Sequence, residues 1–150
     1  MSDPRIVVLN GPNLNLLGAR EREHYGTHTL GEVEERCRAR AAALGFAIDF
    51  RQTNSEAELV GWIQQLGDVA GLVLNAAAYT HSSIAIHDAL KTIACPCVEV
   101  HLSNTAGRER FRHRSFVAPA ATGTISGFGS MSYELAVEAI AELASSGDGR

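Results

Sequence analysis

Three short apolar runs, each emptying abruptly into polar residues, constrain this chain more than any other feature. Residues 6–9 (IVVL) lead into Asn10-Gly11-Pro12-Asn13, Leu72-Val73-Leu74 into Asn75, and residues 98–102 (VEVHL) into Ser103-Asn104. Runs this short suit buried strands, and between them lie stretches with helical periodicity. Strands that alternate with helices cannot be joined by hairpins. They have to lie parallel, with the helices covering the sheet on both faces.

The rest of the chain fits that plan. Residues 5–10 read as the first strand. A loop follows over 11–28, long for a compact domain and therefore a candidate lid, centred on 18–28. Thr29-x-x-Glu32 is a capping box for a helix whose apolar face is Leu30, Val33, Cys37, Ala41 and Leu44, and Gly45 stops it. Residues 46–52 alternate as a second strand. Ser55-x-x-Glu58 opens a second helix that ends at Gly67, and residues 69–75 form the third strand. A third helix is expected over 83–94, broken by Pro96. The fourth strand covers 97–102, a short fifth covers 122–126, and a closing helix runs over 130–143. The expected fold is α/β and flavodoxin-like: a five-stranded parallel sheet of order 2-1-3-4-5 within one domain, residues 1–150, with 145–150 a frayed tail. In such sheets ligands bind beyond the carboxyl ends of the strands where the order reverses, which brings the loops after strands one, three and four together.

Composition narrows the function. A net charge of -4 argues against nucleic acid as a partner. No run approaches the ~18 apolar residues of a membrane helix. Met1-Ser2-Asp3-Pro4-Arg5 does not read as a secretory signal. Three cysteines, Cys37, Cys95 and Cys97, suit reduced thiols in a cytoplasmic protein. Cys95-Pro96-Cys97 is too closely spaced for a zinc knuckle, and His24, His28, His87 and His113 share no ligand spacing, so no metal is expected.

In the fourth strand Glu99, His101 and Ser103 stand at every second position, hence on one side. A buried parallel strand should be apolar on both faces. The pair is either structural or a carboxylate that fixes an imidazole as a general acid. Tyr25 is a candidate base. Phenols ordinarily ionise near pH ~10, so a catalytic one needs cations beside it. Arg20 is close in sequence, and Arg108 and Arg112 lie after strand four. Asn13, Asn75 and His81 are neutral groups suited to a polyhydroxylated ligand, or simply turn and cap residues. Arg108, Arg110, Arg112 and Arg114 form an alternating basic run, either a solvated face or a source of one or two arginines for the crevice. Gly127-Phe128-Gly129 lacks the spacing of a nucleotide-binding loop and reads as a turn.

Taken together, these motifs resemble the type II 3-dehydroquinate dehydratase family. The resemblance rests on Asn10-Gly11-Pro12-Asn13-Leu14 with Leu17-Gly18, Arg20-Glu21 with Tyr25-Gly26, Asn75 with Ala78-Tyr79-Thr80-His81-Ser82-Ser83, residues 99–104 (EVHLSN), and Arg108-Glu109 with Phe111-Arg112. It implies the reversible loss of water from 3-dehydroquinate to give 3-dehydroshikimate, in the shikimate pathway or in quinate breakdown, with no metal or organic cofactor. By position, Tyr25 would remove the proton beside the ketone and Arg20 would stabilise charge, with Arg108 assisting. Asn13 would steady the enolate through a water. His101, held by Glu99, would protonate the departing hydroxyl. Leu102 and Ser103 would hold the carboxylate, and Asn75, His81 and Arg112 the hydroxyls. Asp88 would reach the site from a neighbouring subunit of a dodecamer built from trimers. Residue content agrees, because the alternative Schiff-base route needs a lysine and the single one, Lys91, falls in the third helix.

Three departures from the family pattern stand out. Arg22 occupies a common Pro position. Ala76-Ala77 replaces Pro-Gly or Ala-Gly, so a positive φ at Ala77 would be strained. Thr105-Ala106-Gly107 lacks a His before Arg108. The competing readings are a flavin-binding module, which would want a Ser/Thr/Gly-rich loop after strand one, and an assembly protein that has lost activity.

Overall fold

The computed structural model describes residues 3–19 and 21–146. Its strands are β1 (Arg5–Asn10), β2 (Ala47–Gln52), β3 (Gly71–Asn75), β4 (Cys97–His101) and β5 (Gly123–Ser126). All pair in parallel, in the order β2-β1-β3-β4-β5. This is the flavodoxin-like arrangement that the alternation of strands and helices predicts.

Period two along each strand divides the core into halves. Ile6 and Val8 of β1, Val73 of β3 and Val98 and Val100 of β4 face α2 (Leu30–Ala43) and α5 (Met131–Ser145). Val7, Leu9, Leu72 and Leu74 face α3 (Glu56–Gln64) and α4 (Ile84–Leu90). Burying each of these side chains is worth roughly 1.5–3 kcal/mol, so the central strands are held from both sides. Gly71 lets α5 pack closely here, since an added Cβ would lie 2.6 Å from the Ile140 side chain.

The helix starts follow their sequence signals. Thr29 and Glu32 form the reciprocal capping box, and the hydroxyls of Ser55 and Ser83 accept the N–H groups of Glu58 and Ile86. Boundaries moved in several places. The helix expected to run to residue 94 stops at Leu90, because Thr92 turns its hydroxyl back onto the Ala89 carbonyl, 2.7 Å away. Residues 69 and 70 precede β3, although Ala70 already donates to the Arg5 carbonyl. The lid loop contains one helical turn, α1 (Arg22–Tyr25). Ser145 closes α5 instead of fraying, and residues 147–150 of the expected tail lie outside the described residues.

Among the described residues, no helix is long and apolar enough to cross a membrane.

Candidate active site

Strands β1, β3 and β4 all end on one side of the sheet, and their loops line a solvent-open cleft of about 130 Å³. The order of the sheet reverses between β1 and β3, which is where the cleft opens. Gly11, just past β1, donates to the Asn75 carbonyl at 2.8 Å and holds the two loops in contact.

The loop after β1 is pinned by Leu14 and Leu17, buried as pegs in the core. Between β1 and those pegs, Asn13 takes a left-handed conformation (φ 68°) and its N–H bonds the Asn54 side chain. Farther on, α1 presents Tyr25, half-buried against the core. The lid rejoins the body at His28, whose Nδ1 lies 2.7 Å from the Ser130 hydroxyl and 3.2 Å from Arg36.

The loop after β3 turns sharply. Asn75 is buried, and its side-chain oxygen accepts the Ala77 N–H at 3.1 Å. Ala77 has φ 53°, the left-handed value that the missing glycine would have made easy. His81 follows. Its Nδ1 donates to the Arg114 carbonyl at 2.8 Å, which leaves Nε2 uncommitted.

On β4, Glu99 and His101 project together from the α3–α4 face. His101 Nε2 donates to Glu99 Oε2 at 2.6 Å, with side chains 11% and 3% exposed. A carboxylate can only accept, so Nδ1 is the atom left free to exchange a proton with a ligand. Ser115 strengthens the pair. Its oxygen accepts the N–H groups of Val117 and Ala118, so its own proton goes to Glu99 Oε2, 2.9 Å away. The His81 ring lies nearly parallel to His101 at 6.4 Å.

Arg108 joins the two halves. Its NH1 donates to the Tyr25 hydroxyl at 3.2 Å and to the Ser103 hydroxyl at 3.3 Å. The guanidinium carbon sits 5.3 Å from the centre of the Tyr25 ring. The Arg108 side chain is only 5% exposed. Burial works against its charge, but the hydrogen bond to Tyr25 and the nearby Tyr25, Glu109 and Glu21 hold its pKa above the ordinary arginine value. A phenol so placed meets a fixed cation in a partly dry setting, where such a contact is strongest.

Of the residues singled out from sequence, Asn13, Tyr25, Asn75, His81, His101, Leu102, Ser103, Arg108 and Arg112 line this one cleft. Glu99 lies beneath it, bonded to His101. Within the basic run, Arg108 and Arg112 face the cleft, whereas Arg110 is exposed and Arg114 stacks on Phe116 at 4.5 Å. Asp88 is exposed on α4 and is not brought to the cleft of its own chain. Arg20 lies outside the described residues. Gly127-Phe128-Gly129 is a turn whose N–H groups bond the carbonyls of His101 and Leu102, bracing the end of β4. Ser115 and Tyr133 were not singled out from sequence: one is a lone serine in a polar loop, the other one more apolar residue on a helix face. Among the described residues, no three His, Cys, Asp or Glu side chains are grouped as a metal would require.

Known proteins match this chain over most of its length. Residues 4–141 match the profile of the family described as dehydroquinase class II. The chain is 58% identical to the "3-dehydroquinate dehydratase 2" of Pseudomonas aeruginosa, over 91% of this chain and 93% of that protein. It is 59% identical to the "3-dehydroquinate dehydratase" of Phenylobacterium zucineum, over 96% and 99% respectively. Among solved structures, the type II dehydroquinase from Propionibacterium acnes superposes with a TM-score of 0.90 at 46% identity, covering 94% of this chain and 98% of that one.

Proposed function

The chain belongs to the class II dehydroquinase family, and from that premise we propose that it is a hydro-lyase converting 3-dehydroquinate reversibly to 3-dehydroshikimate, as a step of the shikimate pathway or of quinate breakdown. The observation that carries this reading is that Tyr25 on α1 and His101 at the end of β4, far apart in sequence, line the same cleft, each with a partner suited to its task.

In this reading Tyr25, as phenolate, takes the proton from the carbon beside the ketone. The electron pair moves onto the carbonyl oxygen as an enolate. Arg108 balances the phenolate, and Arg20 is assigned a similar part on the family resemblance. Asn13 holds a water that donates to the enolate oxygen. As the enolate collapses, the C–O bond to the leaving hydroxyl breaks and His101 supplies the proton that releases it as water. Glu99 keeps the imidazole oriented and balances its charge. The substrate carboxylate rests on the backbone at Leu102 and Ser103, while Asn75, His81 and Arg112 bind hydroxyls. No step calls for a metal or an organic cofactor. The chain acts as a homo-oligomer, a dodecamer built from trimers, in which Asp88 serves a neighbour's cleft. Its exposed place on α4, one turn from the exposed Ile84, is compatible with such a contact.

The purified chain should turn 3-dehydroquinate into an enone conjugated with its carboxylate, read as a rise in ultraviolet absorbance. Tyr25→Phe and His101→Ala should each lower kcat by roughly 10²–10⁴, the span of general acid–base catalysis, with circular dichroism unchanged. Turnover at the wild-type rate in either folded variant refutes the assignment of roles.

A further inference from the structure

We propose that Tyr133, which does not line the cleft, is a positioning residue for substrate binding: it fixes which face of the Asn75 amide meets the ligand and keeps the Ala77 turn in its left-handed form. This deepens the preceding reading and rests on it.

A chain of hydrogen bonds with only one possible direction leads to this. It starts at the sheet edge, where the Asn10 side-chain amide donates to the Arg51 carbonyl at 2.9 Å. A carbonyl only accepts, so the Asn10 nitrogen is fixed there and its oxygen must point the other way. That oxygen lies 2.7 Å from the Tyr133 hydroxyl, which therefore donates to it. With its single proton spent, the hydroxyl can only accept from Asn75, and it does so from Nδ2 at 2.8 Å. The amide of Asn75 is thereby oriented. Its oxygen faces the Ala77 N–H at 3.1 Å, and one N–H and one oxygen lone pair remain uncommitted at the cleft wall. Asn10, Asn75 and Tyr133 are 0%, 3% and 0% exposed, so water does not compete with these bonds. Burial raises the Tyr133 pKa far above the ordinary phenol value, so the hydroxyl keeps the proton on which the chain of directions depends.

The bond to Asn75 helps hold Ala77 at φ 53°, alongside the Tyr79 N–H that closes the same turn on the Ala76 carbonyl. An L-residue there is strained by roughly 1–2 kcal/mol relative to glycine, and the bond to Asn75 offsets part of this. If Asn75 turned over, its NH₂ would face the Ala77 N–H, donor against donor. The turn would then relax, and the wall that includes Ala77, Ala78 and His81 would move with it.

The test is a set of variants read by steady-state kinetics, after wild-type turnover of 3-dehydroquinate has been shown. Tyr133→Phe should raise KM roughly tenfold, the size of one lost hydrogen bond, while kcat stays within about twofold. In an Ala77→Gly background the same substitution should raise KM less than about threefold, because a glycine turn holds its shape without the clamp. An unchanged KM for folded Tyr133→Phe overturns the proposal, and an equal KM effect in both backgrounds overturns its claim on the Ala77 turn. If Tyr133→Phe does not fold, Asn10→Ala removes the acceptor that orients the phenol and carries the same expectation, and an unaltered KM there refutes it. Absence of turnover in the wild-type protein would instead condemn the reading of the activity.

Discussion

Gly11 offers the sharpest test of how the cleft is held together. Its backbone is buried at the end of β1, against the first residues after β3. A Cβ added there would lie 2.5 Å from the Ala76 carbonyl oxygen and 2.8 Å from its carbon, both backbone atoms that no rotamer change can move. Ordinary contact begins near 3.4 Å, so Gly11→Ala must part the two loops by about 0.9 Å. The Gly11 N–H to Asn75 carbonyl bond, 2.8 Å long, would then stretch beyond hydrogen-bond range. Losing that bond in a buried place costs roughly 1–3 kcal/mol, and overpacking costs about 1–3 more. The sum is roughly 2–6 kcal/mol of stability. The comparison variant is Gly45→Ala, at φ 88° with nothing within 4 Å of the added carbon. It carries only the conformational cost, about 1–2 kcal/mol. Urea unfolding of the three proteins decides the matter, with an unchanged m-value licensing the comparison. KM for 3-dehydroquinate should rise in Gly11→Ala and not in Gly45→Ala, because only the former moves the cleft. If Gly11→Ala is no less stable than Gly45→Ala and its KM equals that of wild type, the contact between the loops does not organise the site.

Burial raises all three thiols. It pushes Cys37 up to about 12 and also lifts Cys97 and the less buried Cys95 above the ordinary value. Ellman's reagent should therefore find at most one thiol, Cys95, in the native protein and three after denaturation. Rapid labelling of Cys37 in the folded state would contradict this packing. On the exposed edge of the sheet, the bidentate hydrogen bonds from Arg51 are the main cause holding the Asp49 carboxyl below its usual range. A depressed folded pKa stabilises above the unfolded value and stops doing so as pH falls through the folded one. Asp49→Asn should thus lower Tm near neutrality by at most about 3 °C, since the pair is well solvated. The difference should close below about pH 4, and a gap that persists in acid would mean the carboxylate charge is not its source.

Much of the architecture was legible because it follows from periodicity. β1, β3 and β4 announced themselves as apolar runs, and the side that Glu99 shares with His101 followed from their spacing alone. The strain at Ala77 was legible only conditionally, since a sequence indicates what a conformation would cost but not that it is adopted. Ser115 and Tyr133 escaped notice because their meaning lies in partners distant along the chain. Tyr133 stands 58 residues from Asn75 and 123 from Asn10, and on its own helix it is simply the apolar residue that the pattern asks for. The early end of α4 was missed for a local reason: Thr92 competes for a helical carbonyl that propensity alone would give to the next turn.

The Asn10–Tyr133 bond also governs the order in which the molecule can be completed. It joins the first strand to the last helix, so a nascent chain that has already zipped most of its sheet still holds an unsatisfied amide beneath the future ligand site. That vacancy is filled only when the C-terminal segment leaves the ribosome and docks. If Tyr133 orients Asn75 as proposed, full affinity waits on the docking of this last helix, although every residue that lines the cleft precedes it in the chain.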